Sequence, residues 1–284
     1  MISNVEILYG LANRCKRYGI KNSKSNVNLN PLNKFLEICD GIDGAEIYGW
    51  HYKDLEILKC RRNFTNFTKI DILKFNPDTP QLLLEKHSSD FKNTYLKGIY
   101  IHNPIDKRII EKCKIIIPYI KKCLNINIGF SIYDQQEIDL LRESDLKFDI
   151  LQIPYNPNVN INYKELQNLG CEVYLRSIFL QGVYFSNLEG KFNQKVIEKV
   201  NYQKEVMLSK ANFYGFDLGQ YLFSNAVSFC EFYKFNGIIV GTSSFDRLNR
   251  YVINHQHIKI DENEFKNQFD IISDYLADPR KWKI

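Results

Sequence analysis

Four residues of this sequence have the side chains needed to move a proton to a carbonyl oxygen: Asp43, Tyr48, Lys69 and His102. A tyrosine donates a proton near neutral pH only when a neighbouring cation stabilises its phenolate, and Lys69 could be that cation. A lysine inside an apolar site needs a carboxylate close by, which Asp43 can supply. A histidine opposite the tyrosine can align the carbonyl oxygen through a hydrogen bond, and His102 fits that part.

Each of these residues alone is weak evidence. A lysine in a strand-like run is more often a surface residue whose stem covers apolar neighbours. A histidine after apolar residues is more often structural, and Tyr48 is one of 18 tyrosines, so its presence alone decides nothing. The set becomes informative because its members stand in or just beyond successive apolar runs.

Those apolar runs predict the strands that position the four residues. Short runs rich in Ile, Val, Tyr and Phe alternate with longer helical patterns, which is typical of βαβ units and a parallel sheet. Eight runs predict strands at 5–9, 41–45, 67–72, 98–102, 126–131, 149–153, 172–177 and 237–241. Eight strands with intervening helices favour a closed α/β barrel, the (β/α)₈ TIM barrel, as a single domain over residues 1–284. Active sites of such barrels form at the carboxyl ends of the strands.

The segments with a helical pattern are expected to form helices that surround this barrel. Apolar residues recur on one face between positions 105 and 123, and Pro118 is expected to kink or end that helix. The stretch 183–232 holds two helical patterns before the last strand. A final helix is predicted over about 261–277, opened by Asp261 and Glu264 as a capping box.

Three motifs contain the four residues: Asp43…Tyr48-Gly49, Thr68-Lys69 and His102-Asn103-Pro104. Further segments of the same kind stand at 18–20, 129–133, 152–156, 176–182 and 239–242. With these motifs the sequence resembles the aldo-keto reductase superfamily, in particular a bacterial branch of it, from about residue 5 to about residue 251. The resemblance implies a TIM barrel that transfers hydride from NADPH to an aldehyde or ketone, with Tyr48 as the general acid and Asp43, Lys69 and His102 as its catalytic partners.

The resemblance also implies where the cofactor binds. It assigns cofactor-binding positions to Ser131, Gln152, Arg176, Ser177, Gly241, Thr242, Ser243 and Arg247. Residues 241–247 offer amides and hydroxyls before a helix N-terminus, which suits an anion. Arg247 matches the arginine that meets the 2′-phosphate, so NADPH is favoured over NADH. No GxGxxG motif occurs, so a Rossmann-type cofactor site is not expected. Members of the branch often act on bacterial surface sugars, which makes a keto-sugar a candidate substrate.

Two loops depart from the family pattern. At the end of the first strand, Gly10-Leu11-Ala12-Asn13-Arg14-Cys15 stands where the family usually has Gly-Thr-x-Gln-x-Gly. After Tyr48-Gly49, Trp50-His51 replaces the usual Ser-Glu. The segment between Tyr48 and Lys69 is also short, which predicts a reduced helix over 54–60. An alternative is therefore an NADPH-binding regulatory or partner module with weak or no turnover. A third reading, a barrel isomerase or aldolase with Lys69 as a Schiff base, leaves the cofactor positions unexplained.

Composition narrows the function classes. The net charge of +5 is spread over Lys-rich helix faces without a long basic tract, so nucleic-acid binding is not expected. The seven cysteines include no CxxC pair, and we expect reduced thiols and no metal site. No apolar run approaches the roughly 20 residues that span a bilayer, and the start of the sequence does not have a leader pattern. We therefore expect a cytoplasmic protein without membrane association that acts on a small-molecule carbonyl compound.

Overall fold

A computed structural model describes residues 4–12, 32–45, 48, 64–76, 96–261 and 270–282. Its centre is a closed barrel in which each strand pairs in parallel with the next and the eighth pairs with the first. The strands are β1 (Glu6–Gly10), β2 (Gly41–Asp43), β3 (Thr65–Ile70), β4 (Leu96–Ile101), β5 (Asn127–Ser131), β6 (Ile150–Pro154), β7 (Glu172–Arg176) and β8 (Gly237–Val240). The predicted TIM barrel is confirmed, and each strand lies within two residues of its predicted bounds.

Helices surround the barrel on its outer side. They are α1 (Leu32–Phe35), α2 (Lys107–Leu124), α3 (Gln135–Glu143), α4 (Tyr163–Leu166), α5 (Gln194–Phe213), α6 (Leu218–Tyr233), α7 (Phe245–Ile253) and α8 (Ile271–Ala277). Short 3₁₀ segments occur at Ile72–Lys74, Leu180–Phe185 and Pro279–Lys281. The two helices predicted between β7 and β8 are α5 and α6. No helix in the described ranges is long and apolar enough to cross a membrane.

The expectation that Pro118 kinks or ends its helix is wrong about the end, because α2 runs from Lys107 through Pro118 to Leu124. Proline removes one backbone hydrogen bond from a helix interior. That loss is offset by tertiary packing, because Ile116, Ile117 and Ile120 are buried on the face that lies against the barrel. The helix ends instead at Asn125, which adopts the left-handed conformation of a C-cap.

Side chains fill the interior of the barrel. Six of them form one buried cluster: Leu8, Phe67, Tyr100, Ile150, Tyr174 and Ile239. The strands approach so closely at two glycines that a side chain would not fit. A Cβ on Gly41 would lie 1.8 Å from the carbonyl oxygen of Thr65, and one on Gly129 would lie 1.6 Å from that of Ile150. The barrel is therefore a packed core, and free space for chemistry remains only at its ends.

The end of the chain differs from the prediction of one helix over about 261–277. Helix α8 begins at Ile271, because Asp270 has an extended backbone and its side chain accepts a hydrogen bond from the Ser273 amide as an N-cap. Asp261 lies in irregular structure, and the intervening 262–269, with the proposed capping partner Glu264, are outside the described residues. A single helix over 261–277 is therefore interrupted at Asp270, which caps the helix that begins at Ile271.

Candidate active site

Six successive strands place a polar residue at the same end of the barrel. Asp43 ends β2, Lys69 lies near the end of β3, His102 directly follows β4, Ser131 ends β5, Gln152 lies in β6, and Arg176 ends β7. In a parallel barrel the carboxyl ends of all strands lie at the same end of the barrel. Residues far apart in sequence therefore meet there. The sequence-predicted site residues on these strands are thus brought to one mouth of the barrel.

A buried ion pair stands at the centre of this mouth. Lys69 Nζ donates a hydrogen bond to Asp43 Oδ2, and the two side chains are 3% and 7% exposed. Lys69 Nζ also lies 3.4 Å from the Gly44 carbonyl oxygen. A buried ion pair with further hydrogen bonds holds its charges in place, whereas either charge alone would be costly at this depth. The pair therefore keeps a cation fixed at the carboxyl end of the barrel.

Two further polar residues extend this pair around the barrel. Gln152 Nε2 donates to Asp43 Oδ1 over 3.0 Å, so both oxygens of that carboxylate are bonded. Ser131 Oγ lies 3.3 Å from Gln152 Oε1 and donates to it. The resulting chain of hydrogen bonds fixes the direction of the Gln152 amide. It joins residues of β2, β3, β5 and β6 into one rigid group.

The tyrosine and the histidine of the predicted set lie next to each other. The rings of Tyr48 and His102 are 6.3 Å apart between centroids and nearly perpendicular, at 82°. Tyr48 is held by its amide, which donates to the Ala45 carbonyl over 2.9 Å. His102 is held by its own amide, which donates to the Ile70 carbonyl over 2.9 Å. The half-buried phenol and imidazole thus border the same space at the barrel mouth.

Burial and like charges change the acid–base behaviour of the site. Burial lowers the pKa of Lys69, and Arg176 lowers it further, while the Asp43 carboxylate acts in the opposite direction. Burial, together with the positive charges of Lys69, Arg176 and Arg280, lowers the pKa of His102 to about 3. His102 is therefore neutral at physiological pH and can donate a hydrogen bond from one ring nitrogen without adding charge.

This shift predicts a pH dependence of stability. The folded protein keeps His102 neutral down to a pH of about 3, whereas the unfolded chain protonates it near its usual pKa of about 6.5. Acid therefore favours unfolding, and we expect His102 to reduce the free energy of unfolding by up to about 1.4 kcal/mol per pH unit across that window. Urea unfolding of the wild type and His102→Gln at several pH values measures the difference. Equal pH slopes for both proteins would contradict the assignment.

Two arginines lie over the ring of Tyr133, which stands just after β5. The Arg176 guanidinium lies 4.0 Å from the centroid of the Tyr133 ring, and that of Arg280 lies 3.8 Å from the same centroid. Arg280 is paired with Asp278 at 2.8 Å and lies 3.5 Å from Glu137. Arg176 donates to the Ile132 carbonyl over 2.7 Å. The C-terminal segment thus contacts the candidate active site through the side chain of Arg280, which lies on Tyr133.

The segment after β8 forms the other part of the predicted cofactor site. Gly241, Ser243 and Arg247 are exposed, and Thr242 is buried with its carbonyl accepting from the Tyr9 hydroxyl over 2.9 Å. Helix α7 begins immediately afterwards, with Ser244 accepting from the Arg247 amide as N-cap. Exposed residues before a helix N-terminus, beside the exposed Arg247 side chain, suit a phosphate group.

The structure therefore brings together most of the residues that the sequence singled out. Asp43, Lys69, Ser131 and Gln152 share hydrogen bonds, and Tyr48 lies against His102. Ser177 adopts a left-handed backbone next to Arg176, where its hydroxyl accepts from the guanidinium over 3.3 Å. The residues 241–247 form a separate polar segment after β8.

Sequence reasoning missed Arg280, Glu137 and the stacking role of Tyr133. Tyr133 belongs to the segment 129–133, which contributes to the family resemblance. The sequence therefore singled out its position but did not predict its contacts with the two arginines. Arg280 gave no local signal, because it meets the barrel only through the fold of the chain's end. Trp50, His51, residues 13–15 and the predicted helix over 54–60 lie outside the described residues.

Comparison with known proteins supports the fold assignment. No protein-family model and no curated protein matches the sequence. Among solved structures, a glycerol dehydrogenase from Gluconobacter oxydans is similar with a TM-score of 0.62 and 14% identity, over 97% of this chain and 92% of that chain. An aldo-keto reductase from Bombyx mori in complex with NADP is similar with a TM-score of 0.60 and 17% identity, over 93% of each chain.

A thermostable aldo-keto reductase in complex with the inhibitor epalrestat gives a TM-score of 0.61 and 18% identity, over 95% of this chain and 94% of that chain. These similarities extend over nearly all of both chains. The chain therefore has the fold of the aldo-keto reductases, as its motifs predicted.

Proposed function

We propose that this chain is an NADPH-dependent aldo-keto reductase that reduces an aldehyde or ketone. The observation that carries the proposal is the buried Asp43–Lys69 pair at the barrel mouth, with Tyr48 and His102 in contact nearby. A fixed cation, a phenol and a neutral imidazole are the groups that carbonyl reduction needs for proton transfer and charge stabilisation. The same fold occurs in the Bombyx mori enzyme, whose structure contains NADP.

The residues present fit a dinucleotide. The buried Nε of Arg176, at the end of β7, has no hydrogen-bond partner among the described residues. One hydrogen-bond donor of this side chain is therefore unused. Gln152 and Ser131 present an ordered amide and hydroxyl at the same mouth. Arg176 and Ser177 match the ring-stacking and phosphate-loop positions of the family that the sequence resembles, and 241–247 would hold a phosphate of the cofactor. NADPH, when bound, supplies the hydride.

The protein's own residues would then manage the proton. Tyr48 donates its hydroxyl proton to the carbonyl oxygen, because its phenol lies beside the imidazole that orients that oxygen. Lys69 stabilises the phenolate that remains, and Asp43 keeps Lys69 charged at this depth. Neutral His102 orients the carbonyl oxygen by donating a hydrogen bond to it.

The test is a screen for NADPH oxidation with purified protein against aldehydes, ketones and keto-sugars, the last because the sequence resembles a branch that acts on surface sugars. Reduction of at least one compound, with the corresponding alcohol identified as product, is expected. NADPH binding without oxidation by any compound would favour the regulatory alternative instead. The altered loop after β1 and the Trp50-His51 pair in place of Ser-Glu are the features of the sequence that would then account for lost turnover.

Cofactor preference gives a separate prediction. Arg247→Ala should raise the Kd for NADPH by about 10- to 100-fold, the usual effect of one charge-assisted hydrogen bond to a phosphate. The Kd for NADH, which has no 2′-phosphate, should change little. Arg250→Ala is the matched control, because Arg250 is an exposed arginine of the same helix that pairs with Asp217 at 2.5 Å. Equal weakening of both coenzymes by Arg247→Ala would contradict a role in phosphate recognition.

A further inference from the structure

Glu137 is a buried acid near the barrel mouth that the proposed reaction does not use. It lies in the first turn of helix α3, and its side chain is 7% exposed. Its Oε1 accepts a hydrogen bond from the Ile105 amide over 3.1 Å, and its Oε2 accepts one from the Tyr133 amide. The Arg280 guanidinium lies 3.5 Å from Oε1. One carboxylate therefore contacts three segments of the chain that are far apart in sequence.

These contacts differ from those of an ordinary helix cap. Asp134 caps α3 by accepting from the Glu137 amide over 3.0 Å. In a capping box, the acid three residues after the cap bonds back to the amide of the cap residue itself. Glu137 bonds instead to the amide of Tyr133, one residue before the cap, and to Ile105 on the neighbouring loop. Capping of α3 does not require the bond to Ile105.

The first of the three segments is the loop that contains His102. Asn103, the next residue, is held on the β3 side of the loop by two side-chain hydrogen bonds of 2.7 and 2.6 Å. Pro104 has no backbone N–H, so the amide of Ile105 is the next donor along the loop. The bond from Ile105 to Glu137 therefore holds this loop on its other side, against α3.

The other two segments meet at the ring of Tyr133. Arg176 ends β7 and Arg280 belongs to the C-terminal segment, and their guanidinium groups lie 4.0 Å and 3.8 Å from the centroid of this ring. Glu137 holds the backbone of Tyr133 through its amide, and it attracts Arg280 by its charge. The carboxylate therefore fixes both the ring and one of the cations that lie on it.

These roles require a carboxylate at this position. Burial raises the pKa of Glu137, whereas the Tyr133 amide, the Arg280 charge and the Ile105 amide act in the opposite direction. The ionised form offers two acceptor oxygens, one for each backbone amide. A glutamine of the same size would set its NH₂ group against one of the two N–H groups and would leave that donor buried without an acceptor.

We propose that Glu137 is a positioning residue of the candidate active site. Its carboxylate joins the loop of His102 to Tyr133 and to the C-terminal segment, so the imidazole keeps a constant place relative to the rest of the barrel mouth. A carbonyl oxygen that is oriented by His102 would then also be held in a constant place. The effect on catalysis rests on the proposed reductase function, whereas the effect on the position of His102 does not.

The direct test is an NMR spectrum of the full-length protein with labelled histidine. The signals of His102 are assigned by their absence from His102→Gln. In Glu137→Gln these signals should shift or broaden, because one of the two bonds to the backbone is lost. The signals of His255 and His257, which follow helix α7, should stay unchanged. Unchanged His102 signals in Glu137→Gln would overturn the proposal.

Two variants of the same helix are matched controls. Asp139→Asn removes an exposed acid of α3 that pairs with Arg142 at 3.2 Å, and it should not move the His102 signals. Leu141→Ala removes a buried apolar side chain. It should lower the melting temperature at least as much as Glu137→Gln does and still leave those signals in place. An equal shift in Leu141→Ala would show that lost stability is the cause and would contradict a positioning role.

Glu137→Asp covers the case in which Glu137→Gln does not fold. Aspartate keeps the charge that attracts Arg280 but is shorter by one methylene group. Because the Asp134 cap fixes the start of α3, the shorter carboxylate cannot reach both backbone amides. The His102 signals should therefore shift in this variant too. A spectrum identical to that of the wild type would overturn the proposal.

Kinetics test the consequence for the proposed reaction. Glu137→Gln should lower kcat by about 10- to 100-fold, because small misplacements of a catalytic group have effects of this size. The Kd for NADPH should not change, and Asp139→Asn should react as the wild type does. Shifted His102 signals with an unchanged kcat would contradict the effect on catalysis. Absence of turnover in the wild type would count against the proposed function, and the NMR comparison would still decide the role of Glu137.

Discussion

Replacement of Lys69 by methionine is expected to lower kcat/KM for the carbonyl substrate by about 10²- to 10⁴-fold, the range typical of lost acid–base catalysis. Methionine retains most of the side-chain length but has no charge to stabilise the Tyr48 phenolate. The same change leaves Asp43 buried at 7% side-chain exposure without its cation. We therefore also expect the free energy of unfolding to fall by about 3–5 kcal/mol. Steady-state kinetics and urea unfolding measure the two effects.

The double variant Lys69→Met/Asp43→Asn separates catalysis from stability. Asparagine removes the unpaired charge while its oxygen can still accept from Gln152 Nε2, which donates to Asp43 over 3.0 Å. Most of the lost stability should return, because no charge remains buried without a partner. Activity should stay low, because the cation is still missing. Recovery of activity in the double variant would show that Lys69 serves the structure and not the reaction.

Tyr48→Phe should lower turnover by at least about 10²-fold while the Kd for NADPH stays the same. Phenylalanine keeps the ring that packs edge-on against His102 at 6.3 Å and removes only the hydroxyl proton donor. The loss should appear in kcat, because the proton moves only as charge develops on the carbonyl oxygen. Stopped-flow kinetics with saturating NADPH measure it.

Tyr9→Phe is a suitable control for that change. Tyr9 is fully buried in β1, and its hydroxyl donates to the Thr242 carbonyl, so this variant is also compared at saturating NADPH. This variant also loses one tyrosine hydroxyl, so it should reduce stability modestly and leave the catalytic step intact. Near-normal turnover by Tyr48→Phe would remove the tyrosine from the proposed mechanism.

The fold could be predicted because its signals are local. Most strands of the barrel are short apolar runs, and helix α2 shows one apolar face. Predictions failed where a local signal competes with packing or with a second signal. Pro118 did not end its helix because buried isoleucines on both sides hold it against the barrel. The predicted helix over 261–277 is not continuous, because Asp270 is extended and caps a helix that begins at Ile271.

The site was predictable to the extent that it is built at strand ends. Asp43 and Lys69 lie in successive strands and His102 directly follows the next strand, so the barrel topology alone brings them to one end. Contacts between distant segments carried no such signal. The stack of Arg280 on Tyr133 depends on how the chain's end returns to the barrel, and the bond from Gln152 to Asp43 spans 109 positions of sequence. Neither could be found from spacing.

The most direct test of the central claim, an NADPH-dependent reductase, is a fluorescence titration of the purified protein with NADPH and with NADH, followed by addition of the carbonyl panel to the same sample. The proposal predicts saturable NADPH binding that is tighter than NADH binding, and then oxidation of the bound coenzyme when one compound of the panel is added. Failure of both coenzymes to bind would contradict it and leave only a shared fold.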